Sequence, residues 1–429
     1  MVAIHLLFVA ASVALAAPTV RDDGPDIAGK FIVVLKNNAN ASDVSSHISW
    51  VRGVHDRSLT RREEIGVDKV WNDNFKGYSG EFDQETVKEI EESDDVSTMN
   101  QPSSHFMRML AYSKQVIAVE PVQSFETSGA IDVRANIRQT NAPWGLGSIS
   151  HRTPNWSEYV YDDSAGATTW AYVIDSGVYV QHQDFEGRAH LGYNAYPGTQ
   201  FVDQMGHGTH CAGTIAGRVH GVAKKANIIA VKVFASGSMV AYMIRRQSST
   251  DIIIDGFEWA VRNITNTPGR AGRSVVSMSL GGGYSLALNT ALRNAYNRHG
   301  VLTVVAAGNS NRDAQNFSPA SEPTAITVGA IDIRNRRAPF SNVGRSLDLF
   351  APGVDVLSSY IGNVQATARL SGTSMACPHV SGLALYLMRK EGLTSPAVVT
   401  QRILDLATRG VVTDAGPGSP NLLAYNGVA

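Results

Sequence analysis

Three side chains suited to nucleophilic catalysis stand in short, glycine-flanked motifs. Asp175 closes the apolar segment AYVID and is followed by Ser-Gly, His207 lies in GHGTHC, and Ser374 lies in SGTSMACPH. A serine hydroxyl is a weak nucleophile at neutral pH, so it needs a base within reach, and that base needs an orienting carboxylate. The three residues therefore supply the parts of an acyl-transfer site.

The local context of each side chain favours this chemistry. A carboxylate at the C-terminal end of a strand lies where open α/β sheets build their sites. Pro378 is typical of a first helical turn, so Ser374 is expected at a helix N-terminus, where free N–H groups and the dipole favour an oxyanion. Each residue alone is more often a cap or a packed side chain. The inference depends on three motifs together, in the order Asp, His, Ser.

Other readings of the same residues are weaker. His210 lies three positions after His207 on the same helical face and is expected to pack in the core, as are His182 and His379. An esterase of the α/β-hydrolase type requires Gly-x-Ser-x-Gly and the order Ser, Asp, His, and the chain has neither.

The elements that position these residues change in character along the chain. Beyond about residue 141, apolar runs alternate with helical stretches, which predicts a doubly wound parallel sheet in an α/β domain. Residues 30–121 predict a small α+β domain in the ferredoxin-like order β-α-β-β-α-β, and 122–140 are expected to be a linker. The apolar runs of the larger domain are 170–174, 228–233, 275–280, 301–306 and 326–328.

Composition and charge describe a globular chain with two unlike parts. Of 429 residues, 43% are hydrophobic and 17% charged, which excludes a disordered chain. Residues 18–128 carry 12 basic and 19 acidic side chains, and residues 129–429 carry 25 and 19, so the two parts are expected to attract each other. The overall charge of −1 gives no reason to expect a nucleic-acid partner. Two cysteines exclude a disulfide-rich scaffold.

The N-terminus predicts export. Residues 1–16 form an apolar segment that ends in Ala-Leu-Ala, as a signal peptide does. No later apolar run reaches the ~18 residues of a membrane span, so a secreted, extracellular protein is expected. Four glycosylation sequons fit that location, at Asn40, Asn155, Asn263 and Asn316.

The three motifs, in this order, resemble those of the subtilisin-like serine proteases. Further segments resemble the proteinase K branch, above all the secreted alkaline proteases of filamentous fungi of the oryzin type. They are NAPWGLGSIS, SLGG, AAGN and NLLAYN, and the resemblance covers nearly all of 141–429. Residues 30–121 resemble, more loosely, the inhibitory propeptide of that family.

The resemblance implies a secreted serine endopeptidase made as a self-inhibited zymogen. Its parts are a signal peptide (1–16), a propeptide (17–128, with the cleavage point somewhere in 122–138) and a catalytic domain (129–429). Ser374 then attacks the scissile carbonyl, His207 accepts and returns the proton, and Asp175 orients His207. Asn309, with the Ser374 N–H, donates to the oxyanion.

Binding roles follow from the same resemblance. An edge formed by Ser279, Leu280, Gly281 and Gly282 pairs with the substrate backbone. Ala306 and Gly308 leave room for a large apolar or aromatic side chain before the scissile bond. The chemistry needs no cofactor; the carbonyls of Pro323 and Ala325 and the carboxylate of Asp348 form a candidate structural calcium site. The implied partners are peptide and protein substrates and the chain's own propeptide, with no membrane partner, and the enzyme is expected to be a monomer.

Three alternatives remain open at this point. Segments 97–115 and 236–247 interrupt the resemblance, either as real insertions or as unspliced introns. Cys211 and Cys377 are either free thiols, which we favour, or a bridge. A binding protein on an inactive protease fold is the functional alternative, and the intact Asp175, His207, Asn309 and Ser374 argue against it.

Overall fold

The computed structural model describes residues 26–36, 41–57, 66–92, 116–127, 130–132, 141–235 and 247–427. The predicted signal peptide, the sequon at Asn40 and the segment 97–115 lie outside these ranges, as does 236–246 of the second insertion. Within them, the helices are all too short or too polar to cross a bilayer.

The N-terminal domain has the predicted β-α-β-β-α-β order. Its elements are β1 (Asp26–Leu35), α1 (Ala41–His55), β2 (Gly66–Asn72), β3 (Lys76–Glu81), α2 (Gln84–Glu92) and β4 (Val116–Thr127). All pairs among these strands are antiparallel, in the order β4-β1-β3-β2. The prediction stops the last strand at residue 121, whereas β4 continues to Thr127 because its second half pairs with the larger domain.

The larger domain contains the remaining elements. The helices are α3 (Trp144–Ser150), α4 (His207–Ala216), α5 (Thr250–Asn266), α6 (Leu286–His299), α7 (Thr373–Glu391) and α8 (Pro396–Leu406). The strands are β5 (Ala130–Asp132), β6 (Trp170–Asp175), β7 (Ala189–Asn194), β8 (Asn227–Lys232), β9 (Gln247–Ser249), β10 (Ser274–Met278), β11 (Leu280–Gly283), β12 (Leu302–Ala306), β13 (Phe317–Ser318), β14 (Ile326–Ile331), β15 (Leu349–Pro352), β16 (Val356–Ser359), β17 (Thr367–Ser371), β18 (Thr408–Arg409) and β19 (Leu422–Leu423).

A parallel sheet forms the centre of this domain, as predicted. Its order is β18-β19-β15-β14-β12-β10-β6-β8-β7, and every pair except β18 with β19 is parallel. Alternate residues of β6 enter opposite cores: Ala171 and Val173 pack with α4 and α7, and Tyr172 and Ile174 pack with α5 and α6. Burial on both faces explains the continuous apolar runs.

The N-terminal domain docks through apolar surface on α5 and α6. Ile32, Val34, Trp71 and Phe75 belong to the same buried cluster as the α5 and α6 side chains. Glu120 adds a polar anchor: its carboxylate accepts from the Ser285 hydroxyl at 2.6 Å and from the first N–H groups of α6. An acidic group at a helix N-terminus satisfies donors that lack a partner within the helix.

The ion pairs across this interface only partly follow the predicted charge attraction. Asp73 of the acidic domain pairs with Arg262 at the surface, 3.3 Å apart. The most buried pair has the opposite polarity: Lys30 lies 3.0 Å and Lys69 3.7 Å from Asp251, a fully buried residue of the larger domain. Burial opposes ionisation of Asp251, but the two lysines and Ser249 hold its pKa below the usual value. Apolar contact and specific pairs therefore outweigh net charge in docking the two domains.

A buried carboxyl makes docking sensitive to pH. Glu258 of α5 is fully buried and accepts from the Asn74 amide at 2.8 Å. Burial raises the pKa of Glu258 to about 7, against the opposing hydrogen bond from Asn74. Among the residues that the structure describes, Glu258 Oε2 and Asn74 Oδ1 are both buried acceptors without a donor. A protonated Glu258 provides the O–H that this arrangement lacks.

We expect the docked domain to dissociate faster as the pH rises. When dissociation exposes the Glu258 carboxyl, its pKa returns to ~4.3. Between about pH 4.5 and 7 the docked state therefore holds a proton that the separated state has released. Docking weakens as the pH rises through that window. Once proteolysis has cut the chain between the two domains, the N-terminal domain should dissociate about tenfold faster at pH 8 than at pH 5.5. The measurement is the fraction of N-terminal domain released from the larger domain with time, followed by size-exclusion chromatography, with every aliquot analysed at one pH.

Glu258→Gln keeps the neutral form at every pH and should reduce this difference, leaving the part that comes from Glu120, whose pKa burial also raises to about 7. Glu186→Gln, at a carboxylate whose side chain is 50% exposed, is the matched control and should leave it unchanged. An undiminished pH dependence in Glu258→Gln would show that another group controls release.

Candidate active site

Asp175 and His207 form a buried pair at the C-terminal edge of the parallel sheet. Asp175 ends β6 and His207 begins α4. The ring Nδ1–H of His207 donates to the carboxylate, 2.8 Å from Oδ1 and 3.0 Å from Oδ2. The Ser176 N–H also donates to Oδ1, at 2.7 Å. The pair leaves Nε2 as the ring atom that accepts a proton.

The protonation of His207 is controlled by its surroundings. Burial alone lowers the pKa of the ring, but the charge and hydrogen bond of Asp175, with a smaller contribution from Cys211, raise it well above its usual value. The site therefore stabilises the imidazolium that forms when His207 accepts a proton.

Asp203 fixes the chain around this pair. Its carboxylate accepts from the Ser176 hydroxyl at 2.8 Å, from the N–H groups of Met205 and Gly206, and from the N–H and hydroxyl of Thr209. These bonds connect the segment after Asp175 to the turn that carries His207. Sequence reasoning missed this residue; an acidic side chain three positions before a Gly-His-Gly motif is the signal that would have found it.

The glycines of the motif are required by close packing. Gly206 has φ of 80°, a left-handed conformation that favours glycine. A side chain on Gly208 would collide with the carbonyl oxygen of Gly177, the glycine that follows Asp175 and Ser176. Both motifs therefore lack side chains where their backbones approach each other.

Ser374 lies in the first turn of α7, as predicted, but the role expected for Pro378 is wrong. Because α7 begins at Thr373, Pro378 falls in the second turn. Its missing N–H leaves the Ser374 carbonyl, four residues earlier, without its helical donor. That carbonyl accepts instead from the Ser279 hydroxyl at 2.9 Å and from the Cys211 thiol at 3.4 Å. The proline thus ties the serine to the segment before β11 and to α4.

The hydroxyl of Ser374 donates to the Ser279 carbonyl at 3.1 Å in this structure. Asn309 is fixed nearby, because its Oδ1 accepts from the N–H and hydroxyl of Thr373 at 2.9 and 2.8 Å. Those bonds orient the amide and leave its Nδ2 as a donor beside Ser374. The structure therefore brings a hydroxyl, an oriented amide and a helix N-terminus together.

Strand β4 occupies the groove next to Ser374. It lies between two strands of the larger domain and pairs antiparallel with both: Glu126 is opposite Gly281 of β11 and Gln247 of β9. Beyond the gap at 128–129, β5 pairs with β17, with Ala130 opposite Ser371. The chain therefore approaches the serine between two strands, β9 and β11, and leaves it along a single strand, β17.

The remaining predicted residues are distributed as follows. Leu280, Gly281 and Gly282 lie in β11, directly after Ser279. Ala306 is buried at the end of β12, and Gly308 takes φ of 97°. Asp348 has one hydrogen-bond donor among the described residues, the Thr327 N–H, and burial raises its pKa to about 6.

The competing histidines have structural partners. His210 bonds to the Val356 carbonyl and burial lowers its pKa to about 3; His379 bonds to the Met375 carbonyl, with a pKa lowered to about 4. His182 bonds to the carbonyl of Ala366. Burial explains why none of the three serves as a base near neutral pH.

Both cysteines are buried free thiols, so the bridge is excluded in this structure. Cys211 Sγ lies 4.0 Å from His207 Nδ1, and Cys377 contacts Ser277 and the Val304 carbonyl. Burial raises the pKa of both thiols, to about 12 for Cys377. Neither has the low pKa of a nucleophilic cysteine.

We expect a mercurial to inhibit the enzyme through Cys211. A mercury atom on this sulfur occupies the space beside the Asp175–His207 pair and displaces the ring. Cys211→Ser should stay active and become resistant, whereas Cys377→Ser, the matched control, should stay sensitive. Labelling is confirmed by mass, and full activity of the enzyme labelled at Cys211 would contradict the expectation.

Comparison with known proteins agrees with this geometry. The subtilase family model matches residues 166–425, and the peptidase inhibitor I9 model matches residues 30–101. The chain is 51% identical over 419 residues to the subtilisin-like proteinase Mp1 of Magnaporthiopsis poae, covering 97% of this chain and 96% of that protein. It is 47% identical to alkaline protease 1 of Aspergillus clavatus, with coverage of 97% and 96%.

A solved structure is also similar. The crystal structure of a cold-adapted subtilisin-like serine proteinase is 39% identical, with a TM-score of 0.61, and the match covers 68% of this chain and all of that one. The expected family and fold class are confirmed. The chain belongs to the subtilase family, as a serine endopeptidase preceded by an I9 inhibitor propeptide.

Proposed function

We propose that this serine endopeptidase is secreted as a zymogen and cuts peptide bonds with Ser374, His207 and Asp175. The Ser374 oxygen attacks the scissile carbonyl carbon while its proton passes to His207 Nε2. Asp175 holds the other ring nitrogen and stabilises the cation. The tetrahedral oxyanion accepts from Asn309 Nδ2 and the Ser374 N–H. His207 then donates its proton to the leaving amine, and water repeats the sequence on the acyl-enzyme.

One observation carries the proposal: β4 forms the middle strand between β9 and β11 and ends beside Ser374. An extended peptide substrate adds a strand to the same edges. The propeptide therefore inhibits by occupying the substrate position, and the polypeptide continues past the nucleophile to β17.

The register supports a specific boundary between propeptide and enzyme. Thr127, the last residue of β4, is opposite Leu280, which directly follows Ser279, whose carbonyl accepts from Ser374. We place the processing bond between Ser128 and Gly129, which gives a propeptide of 17–128 and a catalytic domain of 129–429. Because the bond is delivered intramolecularly, it needs no preferred side chain.

The proposal extends to binding and stability. Ala306 and Gly308 leave a pocket for a large apolar or aromatic side chain before the scissile bond. Pro323, Ala325 and Asp348 would hold calcium through oxygen atoms. The fit is supported by the buried Asp348 carboxylate, which lacks a cationic partner among the described residues. The ion would stabilise the fold and take no part in the chemistry.

Export and modification complete the proposal. The apolar segment 1–16 directs the chain out of the cell, where it works as a monomer. Of the sequons within the described residues, Asn155 is exposed and is the preferred glycosylation site. Asn263 is a weaker site, because its amide oxygen accepts from Tyr172.

We expect Ser374→Ala to abolish peptide hydrolysis and leave the chain unprocessed. Turnover should fall by about 10⁶-fold, the loss found when the corresponding serine of subtilisin itself is removed. The measurements are hydrolysis of a peptide substrate and the mass of the secreted chain. Ser346→Ala, at a half-buried serine of the same domain, should be processed and active. Normal hydrolysis by Ser374→Ala would refute the assignment.

We expect the N-terminus of the processed enzyme to be Gly129. N-terminal sequencing of the wild-type enzyme immediately after processing measures it directly, before secondary trimming. A first N-terminus upstream of Thr127 or downstream of Ala130 would contradict the observed register.

A further inference from the structure

The strand along which the chain leaves Ser374 is as well defined as the strands along which it approaches. Strand β5 pairs antiparallel with β17, placing Ala130 opposite Ser371, Ile131 opposite Leu370 and Asp132 opposite Arg369. Since β4 lies on the other side of the nucleophile, β17 is the edge that receives the residues after the scissile bond.

One face of β17 is open to a ligand. Leu370 is buried, whereas Arg369 keeps 19% of its side-chain surface exposed. Leu357 of β16 is directly opposite Arg369 in register. Residues opposite each other in an antiparallel sheet present their side chains on the same face. A substrate residue in the register of Asp132 therefore shares a face with Arg369 and Leu357.

A cavity of about 500 Å³ lies on that face. Its walls include apolar and aromatic side chains together with one ion pair; they are Trp144, Trp156, Ile333, Leu357, Asp355 and Arg369. The indole N–H of Trp144 donates to the Asp355 carbonyl at 3.3 Å, which connects the aromatic wall to the ion pair.

Arg369 retains hydrogen-bonding capacity toward this cavity. Its Nη1 donates to the Asp355 carbonyl at 3.2 Å and to Asp355 Oδ2 at 3.0 Å. A guanidinium has five N–H donors, and these two bonds, both from Nη1, are its hydrogen bonds to the residues that the structure describes. The Asp355 side chain is 60% exposed. A second carboxylate can therefore bind the same guanidinium.

We propose that Arg369 forms a subsite that selects an acidic side chain at the fourth residue after the scissile bond. The inference rests on the proposed function and on cleavage after position 128, from which Asp132 is the fourth residue. The chain itself thus carries an aspartate opposite Arg369. A substrate carboxylate in this register attracts the Arg369 guanidinium, although exposure keeps the effect modest.

The test uses the mature enzyme and quenched fluorescent peptides that differ only after the scissile bond. Asp, Asn and Lys are compared at each of the third, fourth and fifth positions. At the fourth position kcat/KM should be about two- to fivefold higher for Asp than for Asn, and lowest for Lys. The preference should shrink in high salt, because exposed charge pairs are screened.

Arg369→Gln should remove the preference and retain cleavage of the Asn peptide. Arg402→Gln, which breaks a comparable arginine–carboxylate pair on α7 and α8, should keep it. The subsite would be overturned by equal rates for the Asp and Asn peptides, by a preference at the third or fifth position, or by a preference that survives Arg369→Gln. Each of these results would leave the proposed function standing. Failure to cleave any peptide would overturn the proposed function itself.

Discussion

The site depends on a carboxylate and an imidazole held together out of water. Asp175 and His207 are both buried, with Nδ1 2.8 Å from the carboxylate. Breaking such a pair by removing one partner leaves an uncompensated charge and typically costs ~3–5 kcal/mol. The surrounding chain is organised to keep the pair in place, through the five hydrogen bonds to Asp203 and the contact between Gly208 and Gly177.

The same strand edges explain both catalysis and inhibition. In the proposed function a peptide reaches Ser374 as a strand between β9 and β11, which is where β4 lies in this structure. The propeptide is held by apolar side chains that complete the core on α5 and α6, by Glu120 at the start of α6, and by Glu258 with Asn74. Two of these anchors are carboxyls whose pKa burial raises to about 7. A rise in pH therefore favours both the release of the propeptide and the neutral form of His207.

Much of this could be predicted from the sequence, for reasons that are physical. Strands that are buried on both faces must be apolar throughout, so the strands at 170–174 and 228–233 could be located. The short glycine-containing motifs identified Asp175, His207 and Ser374 as the candidate site residues. The role of Pro378 could not be predicted, because it depends on the Ser374 carbonyl accepting hydrogen bonds from Ser279 and Cys211, which are distant in sequence. The hydrogen bonds of Asp203 could not be predicted either, because they depend on the geometry of the turn, and the docking of Lys30 on Asp251 contradicts an argument from net charge. Long-range partners of this kind are not encoded in local patterns.

The central claim is that Ser374 is the nucleophile activated by the buried pair. Reaction of the processed enzyme with an organophosphate fluoride, followed by peptide mass analysis, tests it most directly. A single adduct on the peptide that contains Ser374, formed in proportion to the loss of activity, is the predicted result. An adduct on another serine, or full activity in enzyme completely labelled at Ser374, would contradict it.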